Sequence, residues 1–126
     1  MQIRVYYEDT DVGGVVYHSN YLNFCERARS DIFFKKGLNP ILESGHFVAK
    51  KLEANYISSA KFGDELEVAT VLKEMRNASF ELLQVVLKDN KKIFELKIVL
   101  AYVSHEAKPQ KITSGVKEML LNLFDV

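Results

Sequence analysis

The sequence predicts an α+β domain in which a five-stranded antiparallel sheet wraps around one long central helix. Three observations predict it. An early segment, 19–36, carries helical spacing and is apolar beyond a single stripe, which favours enclosure on more than one side. Four long segments rich in Val, Ile, Leu and Phe follow it, at 47–57, 65–75, 79–88 and 92–103. Their short polar connections (58–64, 76–78 and 89–91) suit antiparallel neighbours, because a parallel crossover takes about a dozen residues or more. No Pro/Gly/Ser linker or repeat interrupts the 126 residues, so residues 1–126 read as a single domain.

The first strand is expected over Gln2–Asp9, where Ile3, Val5 and Tyr7 alternate with Arg4 and Tyr6. A turn follows at Thr10-Asp11-Val12-Gly13-Gly14, then the apolar run Val15-Val16-Tyr17. In the helix, Tyr21, Phe24, Cys25, Ala28 and Ile32 keep i, i+3, i+4 intervals, and Leu22, Phe33 and Phe34 broaden the apolar surface. Ser19 or Asn20 is suited to cap its start, and Gly37 its end. The four strands come next. A final amphipathic helix, 114–124, collects Val116, Met119, Leu120 and Leu123 on one side.

Composition excludes several classes of function. Seventeen Lys and Arg balance seventeen Asp and Glu, so nothing in the charge balance points to a nucleic acid or an anionic membrane, which need a concentrated basic patch. No apolar run reaches the roughly 18 residues needed to span a bilayer, so no membrane insertion is expected. The N-terminus carries charges where a signal peptide has its apolar core, and a cytoplasmic protein is expected. The single cysteine, Cys25, has no intramolecular partner, and no Cys/His spacing suits a metal. By its helical spacing Cys25 reads as a buried, inert thiol.

The segment that carries chemistry is Tyr7 to Arg29, YEDTDVGGVVYHSNYLNFCERAR, with Glu8, Asp9 and Asp11 ahead of two glycines. A calcium loop is short of ligands: counted from Asp9, position five is Gly13 and position twelve is Asn20. An aspartyl nucleophile of the dehalogenase type needs a parallel α/β sheet, which this order of elements does not provide. An acyl-transfer hydrolase fits better. There a carboxylate lies beside a helix N-terminus, whose N–H groups and dipole favour a developing negative charge. Strand alternation would point Glu8 and Asp9 to opposite faces, so the three acids do not share one environment.

This block resembles the signature of the hotdog-fold acyl-CoA thioesterases of the 4-hydroxybenzoyl-CoA thioesterase family, in their YbgC-like branch. The resemblance runs through Tyr-Glu-Asp-Thr-Asp, Gly-Val-Val-Tyr-His, Asn-Tyr and Glu-Arg-Ala-Arg, and the element order extends it over nearly the whole chain. It implies a sheet curled around one helix and hydrolysis of an acyl-CoA to free acid and CoA, with CoA part of the substrate and no separate cofactor. It assigns the catalytic carboxylate to Asp11, as general base on water or as nucleophile through an anhydride. It gives the thioester oxygen the backbone N–H of Tyr17, and lets Gly13 and Gly14 bring backbone close to substrate. His18 then orients substrate or water, or merely caps the helix, and Tyr7 hydrogen-bonds near the carboxylate or simply packs. Glu26, on the helix, is the alternative carboxylate. Arg29 at i+3 makes an ion pair the simpler expectation for it.

For the CoA end, the resemblance points to the turn holding Arg76 and Ser79, with Lys108 a further cation for phosphate. It also implies a homodimer or homotetramer with sites between subunits, consistent with the need of a wrapped sheet to cover its edge strands. Acyl carrier protein is a further partner it admits. The rival reading is a non-catalytic acyl-CoA or acyl-carrier-protein binding module on the same fold. Asp11 separates the two, since a binder gains nothing from a carboxylate beside a thioester.

Overall fold

The computed structural model describes residues 1–124 of the chain. Five strands form one sheet: β1 (Gln2–Arg4), β2 (His46–Tyr56), β3 (Glu65–Met75), β4 (Ser79–Lys88) and β5 (Lys91–Val103). Their spatial order is β1-β3-β4-β5-β2, and every neighbouring pair is antiparallel. The helices are α1 (Asn20–Phe34) and α2 (Ser114–Phe124).

Period-two alternation sets the inner face. Phe80, Leu82, Gln84 and Val86 of β4 and Phe94, Leu96, Ile98, Leu100 and Tyr102 of β5 are buried on one side. Against that face α1 buries Tyr21, Phe24, Cys25, Ala28 and Phe33. The two-residue turn Asp89-Asn90 between β4 and β5 takes φ of 50° and 65°, the backbone of a type I′ hairpin that Asp and Asn tolerate. After α1, Gly37 at φ 72° lets its own N–H reach Phe34 O and the Leu38 N–H reach Phe33 O, closing the last turn as expected.

Four expectations need correction. The strand from Gln2 stops at Arg4, and Tyr7–Asp9 is a 3-10 turn instead. The Asp9 carboxylate takes the Tyr6 N–H at 2.9 Å, and a side chain that captures backbone donors in this way ends a strand. The 58–64 connection does not join neighbours. β2 pairs with β5 at the far edge, so this loop crosses the end of the sheet beneath the start of α1. There the Ala60 N–H donates to the Tyr21 hydroxyl at 3.1 Å. Nor is the whole apolar surface of α1 covered in the single chain: Leu22 and Ile32 pack against the core, but Phe34 is 57% exposed. Finally, Ser19 sits at the N-cap position without a side-chain capping bond.

Candidate active site

The loop after the 3-10 turn is a miniature hairpin. Thr10 bridges Val16, the Asp11 N–H donates to Val15 O at 2.9 Å, and the Gly14 N–H donates to Asp11 O at 3.0 Å. Gly14 takes φ of 80°, which a side chain would resist, so this residue makes the turn possible. The turn folds Gly13 back so that its N–H donates to Asp11 Oδ1 at 2.8 Å. The carboxylate is thereby held in one orientation and remains partly exposed.

The loop is fastened to α1 by two bonds to one carbonyl. Asp9 O accepts the Tyr17 N–H at 2.9 Å and Asn20 Nδ2 at 2.9 Å. The expected oxyanion donor, the Tyr17 N–H, is therefore already engaged. The next N–H, that of His18, has no hydrogen-bond partner among the described residues. His18 O accepts the Tyr56 hydroxyl at 2.8 Å, which pins the start of α1 to the end of β2. Asp11, His18, Tyr21 and Tyr56 then line a pocket of about 290 Å³, together with Ile57, Ser58 and Ser59.

The sequence marks Asn20 only as a cap candidate and as part of the Asn-Tyr motif, with no role at the site, and does not single out Tyr56, a strand-end aromatic. Tyr7 and Asp11 together line a larger and more open depression of about 910 Å³, with Phe62. Tyr7 is 80% exposed, its ring is 6.1 Å from that of Phe62, and its hydroxyl makes no bond to Asp11 among the described residues. The Tyr17 and His18 rings stand 4.3 Å apart.

The residues expected at the CoA end lie elsewhere in this chain. Arg76, Ser79 and Lys108 sit where β3 ends and β5 ends, whereas the Asp11 loop bridges Lys61, just ahead of β3. The 11 residues of β3 separate the two places by about 33 Å. Arg76 meanwhile pairs with Glu74 at 2.8 Å and Glu81 at 3.4 Å. The expected Glu26–Arg29 ion pair is also absent among the described residues. Arg29 Nη1 donates instead to Gln84 Oε1 at 2.9 Å, and Glu26 accepts from Ser30 Oγ at 3.4 Å. Cys25 is fully buried, and burial pushes its thiol up to about 12, which makes it inert as a nucleophile. No helix among the described residues is long and apolar enough to cross a membrane.

Comparison with known proteins gives a consistent picture. A family model described as the thioesterase-like superfamily matches residues 5–120. The acyl-CoA thioesterase YbgC of Helicobacter pylori (strain ATCC 700392 / 26695) is 50% identical over 84 residues, which are 67% of this chain and 63% of that protein. The chain thus spans less than two thirds of that relative's length. The acyl-CoA thioester hydrolase YbgC of Escherichia coli O157:H7 is 35% identical over 121 residues, 90% of this chain and 89% of that one. Among solved structures, a probable thioesterase from Bartonella henselae superposes with a TM-score of 0.83 at 33% identity, covering 90% of this chain and 97% of the other.

Proposed function

Since the chain belongs to the thioesterase-like superfamily and has its hotdog fold, we propose that it is a thioester hydrolase acting on acyl-CoA, with Asp11 as its catalytic carboxylate. The observation that carries this reading is the tethered Asp11 carboxylate sharing one pocket with His18, whose backbone N–H at the start of α1 has no hydrogen-bond partner among the described residues.

The thioester carbonyl enters with its oxygen toward the His18 N–H and the positive end of the α1 dipole. Asp11 either takes a proton from water as that water adds to the carbonyl carbon, or adds itself. The tetrahedral oxyanion collapses, the C–S bond breaks, and CoA leaves as a thiolate that takes up a proton. In the second route water then cleaves the Asp11 anhydride and restores the carboxylate. Gly13 and Gly14 keep side chains away from the path of attack. The His18 ring, at the pocket rim, orients the attacking water.

The reading includes self-association. β2 is an 11-residue edge strand, and its inner face leaves Leu52 49% and Tyr56 47% exposed. Pairing the β2 edges of two copies antiparallel covers that face. It also sets the Arg76, Ser79 and Lys108 end of one copy beside the Asp11 end of the other, so that CoA phosphates meet the cations of the second subunit. Exposed Val71 beside Leu83 on the outer face supports further pairing of dimers into a homotetramer. The cytoplasm is the proposed site of action.

The deciding experiment measures free thiol release from a panel of acyl-CoA and acyl-carrier-protein thioesters, with the Asp11→Asn variant beside the wild type. Turnover lost in the variant supports the reading. Tight acyl-CoA binding without turnover in the wild type favours the binding module instead.

A further inference from the structure

A second chamber lies at the C-terminal half of α1 and shares no lining residue with the Asp11 pocket. Its volume is about 450 Å³, within the range of small-molecule sites. Four phenylalanines from four different elements or their flanks form its wall in a closed circuit. Ring centroids are 6.3 Å apart for Phe33–Phe47, 5.4 Å for Phe47–Phe80, 6.1 Å for Phe80–Phe124 and 5.9 Å for Phe124–Phe33.

Two polar side chains in this apolar wall lack a full set of partners among the described residues. Arg29 spends one bond on Gln84 and has no carboxylate in salt-bridge contact among the described residues, although a guanidinium carries five N–H donors. Burial lowers its pKa from the ordinary value, opposed only in part by Cys25 and Glu26. His46 lines the same chamber, and its Nδ1 is buried with no partner among the described residues. Glu26 also lies on the rim, but its side chain is exposed and its charge is screened by solvent. A buried polar atom is normally satisfied, so the unpartnered His46 Nδ1, beside the half-buried Arg29 fork on one cavity, points to a partner supplied from outside.

We propose that this chamber binds an apolar monocarboxylate, with its carboxylate on Arg29 and His46 and its hydrocarbon body against the four phenylalanines. The planar guanidinium fork matches a carboxylate, and a single cation in apolar surroundings suits one negative charge better than a phosphate's two. The acid released by thioester hydrolysis has this chemistry, and in that case the inference rests on the proposed function. A free carboxylate from another source has the same chemistry.

Isothermal titration of the whole protein with octanoate and with octanol tests it, using the Asp11→Asn background so that binding is read independently of turnover. Saturable octanoate binding, with octanol about tenfold weaker or more, is expected. Arg29→Gln should weaken octanoate by about tenfold or more and leave octanol unchanged. Ile41 lines the chamber from a loop and is 67% exposed, so substitutions there spare the core. Ile41→Lys should tighten octanoate and Ile41→Glu should weaken it, which decides the matter even if Arg29→Gln fails to fold. No saturable octanoate binding, or binding indifferent to both Arg29→Gln and the Ile41 charge, overturns the proposal. Product inhibition of the wild type that Arg29→Gln relieves would identify the hydrolysed acid as the occupant. Octanoate binding without such inhibition assigns the chamber to a carboxylate of other origin. If octanoate binds while no thioester is cleaved, the chamber stands and the proposed activity falls.

Discussion

The backbone N–H of Gly13 donates to the Asp11 carboxylate at 2.8 Å, and a Cβ added at Gly13 would lie 3.2 Å from that same oxygen. One residue thus both tethers the carboxylate and, by lacking a side chain, leaves it room. Gly13→Ala should therefore keep the fold and displace the carboxylate by a few tenths of an ångström. The expected result is a loss of about tenfold in kcat with KM nearly unchanged, equivalent to roughly 1.4 kcal/mol of barrier. Steady-state kinetics on a cleaved acyl-CoA check it, and an unchanged kcat would remove Gly13 from the account.

Asp11→Asn keeps the shape and the Gly13 bond but removes the charge. A fall in kcat of about 10² to 10⁴ is expected, with acyl-CoA affinity largely retained. Near wild-type turnover in this variant together with loss in Glu26→Gln would move the chemistry to the helix carboxylate. Single-turnover hydrolysis in heavy-oxygen water bears on the route: water-derived oxygen found in the Asp11 carboxylate identifies the anhydride route with water attacking the Asp11 carbonyl, whereas general-base hydrolysis places it in the acid product alone.

Gln84 is wholly buried and bonds Arg29, the Cys25 carbonyl at 2.9 Å and Thr70 Oγ1 at 3.0 Å. Gln84→Leu fills the space but leaves Arg29 without its hydrogen bond. The expected cost is about 1.5–3 kcal/mol, read as a lower urea midpoint at unchanged slope. A midpoint equal to wild type would mean that Arg29 finds water instead.

Burial raises the Cys25 thiol from 9.0 to about 12. The unfolded chain therefore releases this proton at lower pH than the folded one. The stabilising contribution is fully present below about pH 9 and is lost as pH rises toward 12. Cys25→Ala should flatten the alkaline fall of the urea midpoint over that window. The wild-type thiol should react with an aromatic disulfide reagent only at the rate of unfolding; rapid labelling of the folded protein would contradict its burial.

Much of this protein was legible in local pattern. Helical intervals from Tyr21 to Ile32, the strands 65–75 and 79–88, and α2 at 114–124 follow from periodicity and turn chemistry that neighbouring residues impose on one another. The Asp11-to-Gly14 turn was readable for the same reason, since its glycine at φ 80° answers a local steric demand. Partners distant in sequence were not readable. That β2 leaves its successor to pair with β5 depends on which apolar faces meet across the sheet. Whether Arg29 turns to Glu26 or to Gln84 depends on a strand 55 residues away. The Tyr17 N–H is engaged, and the His18 N–H left without a partner among the described residues, because Asp9 bends the chain out of its strand and carries its carbonyl to the start of α1. Sequence determined which residues could do the chemistry. Tertiary structure decided which of their donors and acceptors were already spent, because a hydrogen bond goes to the group that packing brings within reach.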